Sequence, residues 1–126
     1  MLINLSNHPS SLWGQYQTKA AAEKYGKVID LPFPPIDPEA EPDAIALLVE
    51  HYEVKIRKLL AAENTGAFAV HVMGELTFCF ALVARLQKFG ITCLASTTRR
   101  ETIENGDGLK TSRFEFVRFR EYVRND

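Results

Sequence analysis

A chain of 126 residues, 46% hydrophobic and 25% charged, has the length and apolar content for one domain built around one core. A net charge of −1 argues against a broad surface for DNA or anionic membrane, and no apolar run approaches the ~20 residues that span a bilayer. "MLINLSNHPS" has no basic leader and only a short apolar run broken by Asn4, so a cytoplasmic protein without a secretory leader is expected. Cys79 and Cys93 lie in apolar segments with no second Cys or His motif beside them, and read as reduced core residues. His8, His51 and His71 are too far apart in sequence to form a local metal motif, so neither a metal nor another cofactor is expected.

In chain order, "LINLS" (2–6) reads as a short strand. "SSLWGQYQTKAAAEKYG" (10–26) reads as a helix with a Ser cap, a stop at Gly26, and Trp13 and Tyr16 on one core-facing side. Trp13 also lies close enough to the strand end to be a stacking candidate. "KVIDLPF" is a second strand, and "PFPPIDPEAEPD", with five of the six prolines, is an extended loop. From Pro42 the apolar positions 45, 48, 49, 52, 56, 59 and 60 predict an amphipathic helix of about 20 residues with proline in its first turn. "AFAVHVMGE" is a nearly continuous apolar strand of the kind covered on both faces. "ELTFCFALVARLQKFG" is a helix ended by Gly90, and "ITCLAST" is the next buried strand. The "NGDG" turn then predicts a β-hairpin over about 99–122. Strict alternation would place Phe114, Phe116, Arg118 and Arg120 on one face of its second strand, with Val117 and Phe119 on the other. This hairpin extends the sheet or forms an arm towards a partner subunit.

Alternating strands and helices imply a three-layer Rossmann-like α/β domain spanning 1–126. It has a mostly parallel sheet, helices on both faces and a C-terminal antiparallel β-hairpin. Ligands of such sheets bind at the carboxyl ends of the parallel strands. Three polar clusters fall at those ends: Ser6, Asn7, His8, Ser10 and Ser11; Met73, Gly74, Glu75 and Thr77; and Ser96, Thr97, Thr98, Arg99 and Arg100. Hydroxyls, amides and arginines suit a phosphate or nucleotide. Residues 99–126 hold six of the eight arginines, and Lys110, Thr111, Ser112 and Arg113 return on the hairpin towards the same rim.

Each cluster also has a plain structural reading. Asn7, Pro9 and Ser10 suit a turn and a cap, but His8 has no capping use and is the strand-end imidazole available as general acid or base. Gly74 serves a tight strand-to-helix turn without the spacing of a dinucleotide fingerprint or P-loop. Glu75 favours a helix start and would repel a phosphate placed there. The threonines and arginines of "STTRR" also suit an exposed strand. His71, in mid-strand, reads as a hydrogen-bonded core histidine away from the rim.

"NHPSS" after the first strand, "HVMGELTF" in mid-chain and "STTRRE…KTSRFEFVRFREY" near the end resemble small CRISPR-accessory proteins. These are relatives of the CRISPR-associated Rossmann-fold sensors and the ring nucleases of cyclic oligoadenylate signalling. That resemblance implies a homodimer holding a ring-shaped oligoadenylate between two rims. It also implies metal-independent cleavage, in which a ribose 2′-hydroxyl attacks the adjacent phosphodiester. Carried over, His8 is the general acid or base, and Arg99, Arg100 and Lys110 face phosphates. Ser10, Ser11, Ser96 and Thr97 bond ribose or phosphate, with Asn7, Gly74 and Thr98 completing the pocket. A non-catalytic sensor or sponge needs the same binding groups, and a small α/β interaction module that dimerises through the Phe-rich C-terminal strand remains a third reading.

Overall fold

In a computed structural model describing residues 1–63 and 66–125, the order is β1 (Leu2–Ser6), α1 (Gln15–Tyr25), β2 (Val28–Asp30), α2 (Pro42–Ala62), β3 (Ala69–Met73), α3 (Leu76–Lys88), β4 (Cys93–Glu104) and β5 (Lys110–Glu121). The five strands form one sheet in the order β2-β1-β3-β4-β5, parallel except for the antiparallel β4–β5 pair. This is the expected Rossmann-like α/β architecture.

Strand alternation divides the core into two layers. Ile3 and Leu5 of β1 and Val70 and Val72 of β3 pack against Val49 and Ile56 of α2 and Phe78, Leu82 and Leu86 of α3. On the opposite face Leu2, Ala69 and Leu94 meet Trp13, Ala21 and Tyr25. Burying a side chain such as Phe78 contributes about 2–3 kcal/mol, and the α2–α3 layer holds most of the large ones. Within that layer the buried Glu53 carboxylate accepts from Arg85 Nε at 2.9 Å and Arg57 Nη1 at 3.4 Å. The Arg85 hydrogen bond is the main reason its carboxyl lies below the usual range, with burial opposing. Cys79 and Cys93 are buried and unpaired, and burial pushes their thiols up to about 11 and about 12. No helix among the described residues is long and apolar enough to cross a membrane.

Three local expectations change. The segment after Pro9 is a single 3-10 turn, Ser10–Leu12, and α1 begins only after Gly14. Trp13 is therefore buried ahead of the helix, whereas Tyr16 is 70% exposed rather than sharing a core face with it. β4 does not end at "STTRR": it runs unbroken to Glu104, so it is itself the first strand of the hairpin. Thr and Arg are compatible with a strand, and the paired β5 supplies the backbone partners that keep it extended. Finally, Thr97 pairs with Arg118 but Thr98 with Phe116, leaving Val117 as a β-bulge. The extra residue resets the alternation. Phe116 and Phe119 stand on one face with ring centroids 5.0 Å apart, while Arg118 and Arg120 oppose Thr97 and Ala95 on the other.

Candidate functional site

β1 is the first strand, yet it lies inside the sheet between β2 and β3, and the strand order reverses there. At such a switch point the loops after neighbouring strands diverge to opposite faces and leave a crevice. Ser6 and Met73, the last residues of β1 and β3, are register partners at that crevice. A cavity of about 300 Å³ opens there, lined by Ser6, Asn7, His8, His71, Met73, Gly74, Ser96 and Thr98. A second cavity, of about 500 Å³, shares His8, Ser96 and Thr98 and continues along the α1 face past Tyr16, Phe114 and Phe116.

The loop carrying His8 is held by polar groups that are themselves built into the sheet. The His8 carbonyl accepts from Asn4 Nδ2 and the Trp13 indole N–H, both at 3.0 Å, and lies 3.1 Å from Ser6 Oγ. Asn4 Nδ2 also donates to Asp30 Oδ1 at 2.8 Å, and Asp30 accepts from the Ser10 amide and hydroxyl at 3.0 and 2.6 Å. Partial burial works against ionisation of Asp30, but the donors from Ser10 and Asn4 outweigh it, so its carboxyl lies below the usual value. On its other side Asn4 Oδ1 accepts from Ser6 Oγ and His71 Nδ1, both at 2.8 Å. Trp13 and Phe119 rings close over His71, each with its centroid 5.6 Å away.

His71 is 1% exposed, and its Nε2 has no hydrogen-bond partner among the described residues. Burial, with a smaller contribution from nearby His8, depresses its pKa to about 4, so the imidazole is neutral at physiological pH. His8 is exposed, with Nε2 3.2 Å from the Leu12 carbonyl. Ser96 directs its hydroxyl to the Met73 thioether at 3.1 Å, a weak acceptor.

Of the residues expected at the rim, Ser6, Asn7, His8, Met73, Gly74, Ser96 and Thr98 come together. The others do not line this cavity. Ser10 is tied to Asp30, and Ser11 lies exposed on the 3-10 turn. Because β4 continues as a strand, Thr97 and Arg99 point to the face opposite Ser96 and Thr98, and Thr97 donates to the Arg118 carbonyl. His8 and Arg99, the two candidates for chemistry, are thus on opposite faces of the sheet. Arg100 returns to the cavity face one step beyond Thr98, where its Nη2 bonds Ser112 Oγ at 3.1 Å.

Lys110 pairs with Glu104 near the hairpin tip, about 20 Å of strand away from Thr98, so Lys110 to Arg113 do not reach the rim. Trp13 is committed to packing and is no stacking platform, whereas Tyr16 and Phe114 are exposed in the second cavity. Glu75 caps α3 by accepting from the Thr77 and Phe78 amides at 3.1 and 2.8 Å. The Phe78 amide and the Thr77 hydroxyl hold its carboxyl below the usual range. That carboxylate occupies the helix start a phosphate would need.

Residues 1–120 match the family described as the uncharacterized protein MJ1673 family. The chain belongs to that family. No curated protein and no solved structure matches it significantly. In this MJ1673-family chain, sequence reasoning overlooked Asn4, Asp30 and His71 as parts of the site. One signal was present: two otherwise apolar strands, "LINLS" and "AVHVM", are each interrupted by one polar residue. Their register sets Asn4 against His71.

Proposed function

We propose that this protein binds a cyclic oligoadenylate at the switch-point cavity, as part of type III CRISPR signalling. The nature of the ligand rests on the resemblance of "NHPSS" and "STTRRE" to that group of proteins. What supports the location is one convergence: His8, Ser96 and Thr98 belong to both adjoining cavities, with Tyr16 and Phe114 along one side. Hydroxyls bond sugar and phosphate, and exposed aromatic rings offer faces to adenine. Arg100 lies on the same strand face and meets no carboxylate among the described residues, which leaves its charge available to a phosphate. A second copy of the chain, its hairpin arm reaching across, would complete a homodimeric cleft for a ring.

The geometry favours capture over cleavage by the expected pair, because His8 and Arg99 stand on opposite faces of the sheet. A metal-independent ring nuclease reading keeps the same pocket with His8 as its acid or base, but has to draw its phosphate-facing charge from a group other than Arg99, with Arg100 on the cavity face. Calorimetry with cyclic tetra- and hexa-adenylate in EDTA, followed by chromatography of the products, tests both readings. Tight binding with intact rings supports a sensor or sponge, and a 2′,3′-cyclic phosphate product supports the nuclease. Absence of binding for both ring sizes refutes the proposal.

A further inference from the structure

His71 looks at first like a core histidine with its polar needs met. Only half of it is. Asn4 Nδ2 is spent on Asp30 and the His8 carbonyl, so Asn4 Oδ1 is the atom that faces His71. Nδ1 must then carry the hydrogen and donate, which leaves Nε2 as a bare acceptor. A buried polar atom without a partner costs about 1–3 kcal/mol, a penalty that folded chains seldom keep without use. This one belongs to a residue lining the open switch-point cavity, beside the Ser96 and Thr98 hydroxyls.

We propose that His71 Nε2 is the acceptor for a sugar hydroxyl of the bound ligand, with Asn4 as the positioning residue that fixes the tautomer. A hydroxyl fits better than an amino group because the neighbourhood offers both roles. It can donate to Nε2 while accepting from Ser96, whose hydroxyl holds only a thioether, or from Thr98. An amino group only donates. The inference deepens the cyclic oligoadenylate reading and rests on it for the identity of the sugar. In a 3′,5′-linked ring only the 2′-hydroxyl is free, so that is the group assigned to His71.

The deciding measurement is the imidazole ¹⁵N spectrum of the wild-type protein, titrated with cyclic tetra-adenylate, its all-2′-deoxy counterpart and adenosine. The expected result is an upfield move of the His71 Nε2 resonance with the ribose ring and none with the deoxy ring, while Nδ1 holds its position. Movement with adenosine alone keeps the hydroxyl acceptor and overturns the ring ligand. Ring binding that leaves Nε2 unmoved overturns the acceptor and keeps the ring ligand. No binding and no movement with any of the three overturns both. His71→Phe, which keeps an aromatic ring between Trp13 and Phe119, is expected to weaken ribose-ring binding about tenfold and to abolish the preference over the deoxy ring. A folded His71→Phe protein that retains this preference also overturns the acceptor.

Discussion

Acidification from about pH 7 to about pH 5 is expected to destabilise this protein by about 2 kcal/mol through His71 alone. In the folded state the imidazole titrates near 4, against an ordinary value of 6.5. The unfolded chain therefore takes up this proton first. The stabilising contribution is complete above pH 6.5 and is lost as pH falls towards 4. A shift of that size, at about 1.4 kcal/mol per pH unit, gives a limit of about 3 kcal/mol, most of it spent within the window above.

Asp30, Glu53 and Glu75 all have lowered carboxyl pKa values, so their contributions persist through this window and fall away at lower pH. Urea unfolding along a pH series, with the slope m checked for constancy, measures the effect. His71→Phe should flatten the dependence between about pH 7 and about pH 5. A wild-type stability that is level across this range, or a His71 that titrates near its ordinary value by NMR, would refute the reasoning.

Other perturbations test the network and the face assignment. Asn4→Ala strips partners from His71 Nδ1, Ser6 and the His8 carbonyl, and chemical denaturation should show a loss of about 3 kcal/mol; a loss near zero would mean that the network relaxes without cost. In calorimetry with cyclic tetra-adenylate, Arg100→Ala should weaken binding about tenfold, while Arg99→Ala stays within about twofold of wild type. The reverse order would contradict the strand alternation assigned to β4. Gly74→Ala would drive a methyl group into the Phe33 ring, which packs edge-on against Phe78. Displacing that ring should cost about 1–3 kcal/mol in thermal or urea unfolding, and an unchanged midpoint would show that Phe33 moves freely.

Helix and strand types were readable where the chemistry is local. Apolar spacing marks α2 and α3, the greasy run marks β3, and Gly26 and Gly90 end their helices with the positive φ that other residues avoid. The polar strand ends also identified one rim, because a parallel α/β sheet brings all its carboxyl ends together whatever the details of packing. Which side chains on that rim meet is a different matter. It depends on parity along β4, where one residue decides whether Thr98 or Arg99 faces His8, and on the bulge at Val117 that places Phe116 beside Phe119. It depends most on register between β1 and β3, which sets Asn4 against His71 across 67 positions of chain. Hydrophobic pattern carries no such register, since every apolar residue satisfies a core. The pairing of one amide with one imidazole, and the bare nitrogen it leaves behind, arises only when the strands are side by side.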